Sequence, residues 1–226
     1  MISADDALKE LIPHIVPGKD AQMYAYHKAE RIYLGVPNAA IDTAQKAWRE
    51  QMSVEERIEL ARALWASDVH EGRIAAAKLL TQARLRPDEE AWALLQSWVT
   101  QIDCKAIADQ VATAVQKRLI ADPSRLDVVR AWTTFENLWS KCAALDVTQP
   151  WAKMNHPKPA DIAIREEALA WAATYMQDTT WATQRAVADW LATLAKHDSE
   201  RVKTFLDEHG ETLRPSLRKD VEKRLK

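Results

Sequence analysis

The sequence predicts an all-α protein, a succession of short helices paired by turns into an α-α superhelix. Three observations carry that prediction. Only four glycines occur in 226 residues, too few for the positive-φ turns that a sheet protein with many tight connections needs. Ala, Leu, Glu, Lys and Arg, all strong helix formers, are abundant instead. Apolar residues recur at helical spacing between proline and capping signals, and no alternating strand pattern lies among them.

The first helix is expected over residues 4–16, where Ala7, Leu8, Leu11, Ile12 and Ile15 share a face before Pro17-Gly18 closes it. A second, over 20–33, carries Met23, Tyr26, Ala29 and Ile32. Leu34-Gly35-Val36-Pro37 breaks it, and Pro37 is placed to open the third at 38–50. Ser53-Val54-Glu55-Glu56 has the spacing of a capping box and starts a helix with Ile58, Ala61, Leu64 and Trp65 on its apolar side. Residues 69–84 follow, with the Ala75-Ala76-Ala77 patch that lets a neighbouring helix approach closely. Acidic groups at 88–90 suit the first turn of the next helix, which runs to residue 100. The helix over 103–119 ends before Asp122-Pro123, a cap followed by proline at the first helical position. Two more fill 124–134 and 137–147.

Residues 148–159 hold three prolines and read as the one long irregular connection. With Lys153, Lys158 and His156 it is either a ligand-contacting loop or a plain linker. Helices resume over 160–176, 180–196, 199–208 and 211–225. No strict period repeats, so the expectation is a degenerate HEAT-like array, a single domain over 1–226, with a concave groove for its ligand.

Net charge is −2 and the pI near 6.3, which neither announces nor excludes nucleic acid. Between Arg214 and Lys226 six basic groups stand against two acidic ones, so the second half is the better place for a phosphate-facing surface. The plain alternative is a solvated last helix whose cations complement its dipole. Ten Trp against two Phe invite a π-face reading, although packing in helix seams accounts for most such rings. Cys104 and Cys142 offer neither a disulfide framework nor a metal spacing, and six scattered histidines lack the i, i+4 pair of a helical zinc site. No metal and no small-molecule cofactor is therefore expected. With no apolar run of spanning length, the expectation is a reduced, cytoplasmic protein with no membrane partner.

The stretch that carries chemistry is Asp103-Cys104-Lys105-Ala106-Ile107-Ala108-Asp109. Its spacing sets Lys105 and Asp109 on one helical face among small apolar residues, more the floor of a groove than an ordinary solvated surface. Other segments fall in order around it: Tyr24-Ala25-Tyr26-His27-Lys28 with Tyr33-Leu34-Gly35-Val36, Trp65 with Ala75-Ala76, and residues 132–144. The run from Trp181 to Leu191, followed by Lys196-His197-Asp198, completes the series. In this order and spacing the segments resemble the AlkD-like DNA alkylation repair proteins over nearly the whole chain.

Members of that family are HEAT-like-repeat DNA glycosylases, so the resemblance implies a monomer that binds double-stranded DNA, alkylated or distorted. It implies monofunctional release of cationic N3- and N7-alkylpurines without extrusion of the lesion from the duplex. Aromatic faces then flank the base while a carboxylate stabilises the developing positive sugar. By that match Asp109 is the catalytic carboxylate, Trp190 a cleft tryptophan and Tyr26 the cleft tyrosine. Lys105 stands where the family has its other cleft tryptophan, and Cys142 where it has an arginine. Lys141, beside Cys142, is placed to supply a point charge instead. Lys153 and Arg185 are the further expected DNA contacts, and Ala182, Ala188 and Asp189 thin the aromatic pattern near Trp190.

The departures matter physically. An ammonium about 4 Å from Asp109 offsets its charge by roughly 1 to 4 kcal/mol and repels a cationic lesion. The missing indole removes a cation-π contact of about 0.5 to 2 kcal/mol. Lys105 itself can be read as a Schiff-base nucleophile, a phosphate ligand, or the ion-pair partner of Asp109 or Asp103. Two functional readings stand: a repair protein that binds damaged duplex DNA and excises bases through Asp109, or a HEAT-like scaffold that has lost that chemistry and binds DNA structures or a protein partner.

Overall fold

Helices form where the sequence predicts them, and the residues described by the computed structural model, 2–225, contain no β-strand. An isolated parallel bridge joins Ile32 to Val69. Among the described residues no helix is long and apolar enough to cross a membrane. Where the sequence predicts one domain over 1–226, the chain groups into two compact units, Met1–Ala121 and Asp122–Lys226.

The first unit contains α1 (Ala4–Leu11), α2 (Lys19–His27), α3 (Asn38–Glu50), α4 (Val54–Ala66), α5 (His70–Leu79), α6 (Glu89–Val99) and α7 (Lys105–Ala121). The capping box at α4 is present in both halves: Glu56 N–H donates to Ser53 Oγ at 3.2 Å, and Ser53 N–H to Glu56 Oε2 at 3.0 Å. Three boundaries correct the expectation, one of them at α5, expected to reach residue 84 but ending at Leu79. α1 stops at Leu11 and continues only as a 3-10 turn over Ile12–His14, because Pro13 lacks the N–H that would continue the α-helical ladder. α2 ends at His27, where Lys28 takes a left-handed φ of 56°. Ile32, expected on the apolar face of that helix, lies beyond it and is exposed.

α5 is the hub of this unit, packed on α3, α4 and α7 and buried on nearly every side. Its Ala75, Ala76 and Ala77 are fully buried, as the small-residue patch predicts. Glu71 on α5 organises the loop before α3. Its carboxylate accepts the N–H groups of Leu34 (3.0 Å), Gly35 (2.8 Å) and Val36 (3.0 Å). Gly35 sits at φ 82°, and a Cβ there would lie 2.9 Å from the Asp20 nitrogen, so this turn needs glycine. Glu71→Gln leaves one of these donors facing an amide N–H, and we expect a loss of about 1–3 kcal/mol in urea unfolding, with the loop before α3 losing hydrogen-exchange protection first.

The second unit contains α8 (Leu126–Trp132), α9 (Leu138–Val147), α10 (Gln149–Ala152), α11 (Pro159–Tyr175), α12 (Trp181–Leu194), α13 (Ser199–His209) and α14 (Pro215–Glu222). Asp122 caps the 3-10 turn before α8 as its sequence predicts, accepting from Ser124 N–H at 3.1 Å. α12 is the hub here, packed on α9, α10, α11, α13 and α14. Residues 148–159 are not irregular throughout. Trp151 on α10 is buried, its indole N–H reaching Asp161 at 3.2 Å, and the Arg165 guanidinium donates to the Trp151 and Met154 carbonyls. A buried ring and a buried guanidinium thus anchor a segment whose prolines suggest a free connection.

Candidate functional site

α2, α3, α5 and α7 of the first unit surround a cavity of about 360 Å³. Met23, Val36, Ile41, Ile74 and Ala106 give it apolar walls, and Lys19, His27, Asn38, His70, Asp109 and Gln110 bring polar groups. α7 contributes Ala106, Asp109 and Gln110, which the helical period sets along one face. Asp109 is 47% exposed, and Lys105 Nζ donates to its Oδ1 at 2.7 Å. Asp103 is engaged instead by Arg31, so of the two ion-pair partners open to Lys105 the structure selects Asp109. Arg31 lies buried between Asp103 and Asp68, the latter at 3.6 Å.

Aromatic rings cluster beside the cavity. His27 stacks on His70 with ring centroids 4.6 Å apart, and Tyr33 stacks on His70 at 4.8 Å. Tyr26 is 79% exposed and meets His27 edge-on at 5.0 Å. Burial, then the neighbouring His27 and Arg31, push the His70 imidazole down to about 3. Burial, then Arg31, also lowers His27. At neutral pH both rings are therefore uncharged and offer one donor and one acceptor each. The site thus combines an accessible carboxylate compensated by an ammonium, two neutral imidazoles and two side-chain amides.

The remaining predicted residues lie in the second unit. Trp190 is fully buried, at 0% exposure, and its indole N–H donates to Thr148 Oγ1 at 3.0 Å. It therefore has no ring face to offer a base, which corrects its assignment as a cleft tryptophan. Its neighbour Asp189 is the one that reaches the surface, paired through both oxygens with Arg185 at 2.8 and 3.0 Å. Lys141 Nζ lies 3.2 Å from Asp178 and 5.0 Å from the centre of the Tyr175 ring. Lys153 is exposed at the end of α10.

Cys142 is buried in the core with Leu145, Val187 and Leu191, so it cannot stand in for a phosphate-binding arginine. Burial, with the Asp146 charge, pushes its thiol up to about 12, and burial likewise raises Cys104. A raised value keeps the sulfur protonated until strongly alkaline pH. In the folded protein at about pH 8 we expect no iodoacetamide adduct on Cys142 by mass spectrometry, and complete modification in urea.

Sequence reasoning brought Lys105 and Asp109 together correctly but missed His27, His70, Lys19, Asn38 and Gln110. The two histidines belong to different helices, and no local spacing signals their meeting. Gln110, next to Asp109 on α7, and His27, next to Tyr26 in the quoted Tyr24–Lys28 segment, were the ones with a sequence cue.

A sequence profile of the DNA alkylation repair enzyme family matches residues 7–225. Comparison with curated protein sequences gives no match. In structure the chain is similar to a predicted DNA alkylation repair enzyme from Enterococcus faecalis, with a TM-score of 0.74 at 18% identity, covering 93% of this chain and 96% of that one. It is also similar to AlkD2 from Streptococcus mutans, with a TM-score of 0.62 at 18% identity and coverage of 91% and 96%. At such identity the likeness is one of fold.

Proposed function

Because this chain belongs to the DNA alkylation repair enzyme family, we propose that it recognises alkylated or distorted duplex DNA as a monomer, with base excision through Asp109 held back by Lys105. The observation that carries this reading is the 2.7 Å contact between the Lys105 ammonium and the Asp109 carboxylate. A carboxylate promotes glycosidic cleavage by stabilising the positive sugar, and that stabilisation is strongest when its charge is uncompensated and shielded from water. Here the charge is paired and half exposed. Lys105 also repels the positive ring of an N3- or N7-alkylpurine. Recognition in this reading uses Tyr26 as an exposed aromatic surface and Lys141, Lys153 and Arg185 as phosphate contacts, Arg185 exchanging Asp189 for the phosphate.

The scaffold reading, with excision absent altogether, is favoured by the burial of Trp190 and Cys142. Release of N3-methyladenine and N7-methylguanine from methylated duplex DNA, followed by mass spectrometry, separates the two. We expect slow release by the wild type, release about tenfold faster by Lys105→Ala, equivalent to about 1.4 kcal/mol of relieved charge pairing, and none by Asp109→Asn. No release by any of the three sinks the excision step and leaves the scaffold.

A further inference from the structure

We infer that a basic pocket between α12 and α14 in the second unit binds a phosphate monoester, the group found at a strand end or on a free nucleotide. The inference rests on the reading of Arg185 as a phosphate contact and deepens it, naming the pocket, its other residues and the kind of phosphate they take. The pocket encloses about 470 Å³. α12 turns Arg185, Ala188, Asp189 and Ala192 toward it, residues that helical spacing sets on one face, and the two alanines leave room beside the charged pair. Across from them Asp220 on α14, with Lys223 and Arg224 just past its end, supplies the facing charges.

Charge points to an anion. Three cations line the pocket against two carboxylates, and the carboxylates hold only two of the three: Arg185 pairs with Asp189 at 2.8 Å and Lys223 with Asp220 at 3.4 Å. The Arg224 guanidinium has no ion-pair or hydrogen-bond partner among the described residues. Both pairs are open to solvent, so each contributes little and gives way to a stronger anion. The basic stretch that begins at Arg214 ends in this pocket. Lys223 and Arg224 alone would serve as complements to the α14 dipole. Arg185 comes from α12, and the α14 dipole does not account for it.

Shape and charge choose the monoester. A backbone diester carries a single negative charge and is tethered on both sides, so it lies along a surface. A monoester is tethered on one side, enters a pocket end-first and carries about −1.5 to −2 at neutral pH. Its three terminal oxygens offer an acceptor to each of the three cations, the two arginines binding as planar forks and Lys223 as a point charge. Asp189 and Asp220 lose their cations as the phosphate enters, so both carboxylates oppose occupation.

The test is a titration of the full chain with inorganic phosphate at constant ionic strength, followed at the Arg185 side-chain Nε–H signal in NMR. Fluorescence anisotropy of one duplex with 5′-phosphate or 5′-hydroxyl ends runs beside it. We expect saturable shifts at millimolar phosphate, with affinity several-fold weaker in Arg224→Ala and several-fold tighter in Asp220→Asn, which removes an opposing charge. Both positions are exposed, so neither change touches the core. Absence of shifts, or equal affinity in the wild type and both variants, overturns the inference. Tighter binding of the phosphate-ended duplex, lost in Arg224→Ala, identifies a strand end as the source. No preference between the duplexes, with phosphate displaced by neither, identifies a free phosphate compound. Displacement of phosphate by the hydroxyl-ended duplex puts a backbone diester in the pocket and overturns the monoester. Phosphate shifts without binding of either duplex overturn the action on DNA and spare the pocket, whereas duplex binding without phosphate shifts overturns the pocket alone.

Discussion

Trp190→Ala should destabilise the second unit by about 3–5 kcal/mol, the usual cost of emptying the site of a large buried ring. The side chain is fully enclosed in a core with Leu145, Leu169, Val187 and Phe205, and its N–H is satisfied by Thr148 Oγ1, which in turn donates to the Leu145 carbonyl. Truncation opens a cavity and at once leaves the buried Thr148 Oγ1 without the N–H it accepts from. The conservative variant separates packing from recognition. Trp190→Phe keeps most of the volume and should cost about 1–2 kcal/mol for the lost hydrogen bond, with affinity for duplex DNA unchanged. Urea unfolding alongside anisotropy measures both, and a Trp190→Phe protein of wild-type stability with weakened DNA binding would return Trp190 to the DNA surface.

Acidification provides the second large effect. Burial, then the neighbouring His27 and Arg31, hold the folded-state pKa of His70 down at about 3, below the 6.5 of an ordinary histidine. The unfolded chain therefore takes up the proton first. Stability contributed by the neutral ring is fully present above pH 6.5 and is lost progressively as pH falls toward about 3. Between neutrality and about pH 4.5 this amounts to about 2–3 kcal/mol. Asp178, held down to about 2 by the Thr180 N–H, loses its contribution only at lower pH and does not confuse this window. Unfolding free energies of wild type and His70→Gln at the two pH values check it: the fall should be much smaller in the variant, and equal falls would remove His70 as its cause.

What was legible in the sequence follows from how local each signal is. The capping box at Ser53 and Glu56 and the Asp122-Pro123 start are set by neighbours in the chain, and both are formed as predicted. The Lys105–Asp109 pair is legible for the same reason, one helical turn bringing the two side chains together. α10 was hidden because its stability is tertiary: four residues with a proline cannot hold a helix, but the buried Trp151 and the Arg165 guanidinium do. Trp190 shows how sharp a helix is as a sorting device. Adjacent residues point about 100° apart, so matching an aromatic one position away from the surface exchanges a core ring for the half-buried Asp189. The stack of His27 on His70 depends wholly on the packing of α2 and α5, which no spacing rule reaches.

The most direct measurement of the central claim is the affinity for one duplex, methylated and unmethylated, by fluorescence anisotropy at low and at physiological salt. Recognition of alkylated DNA predicts tighter binding of the methylated duplex at both salt levels, with affinity falling steeply as salt rises because phosphate contacts release counterions. Equal affinity for the two duplexes, or no binding of either at low salt, would contradict it.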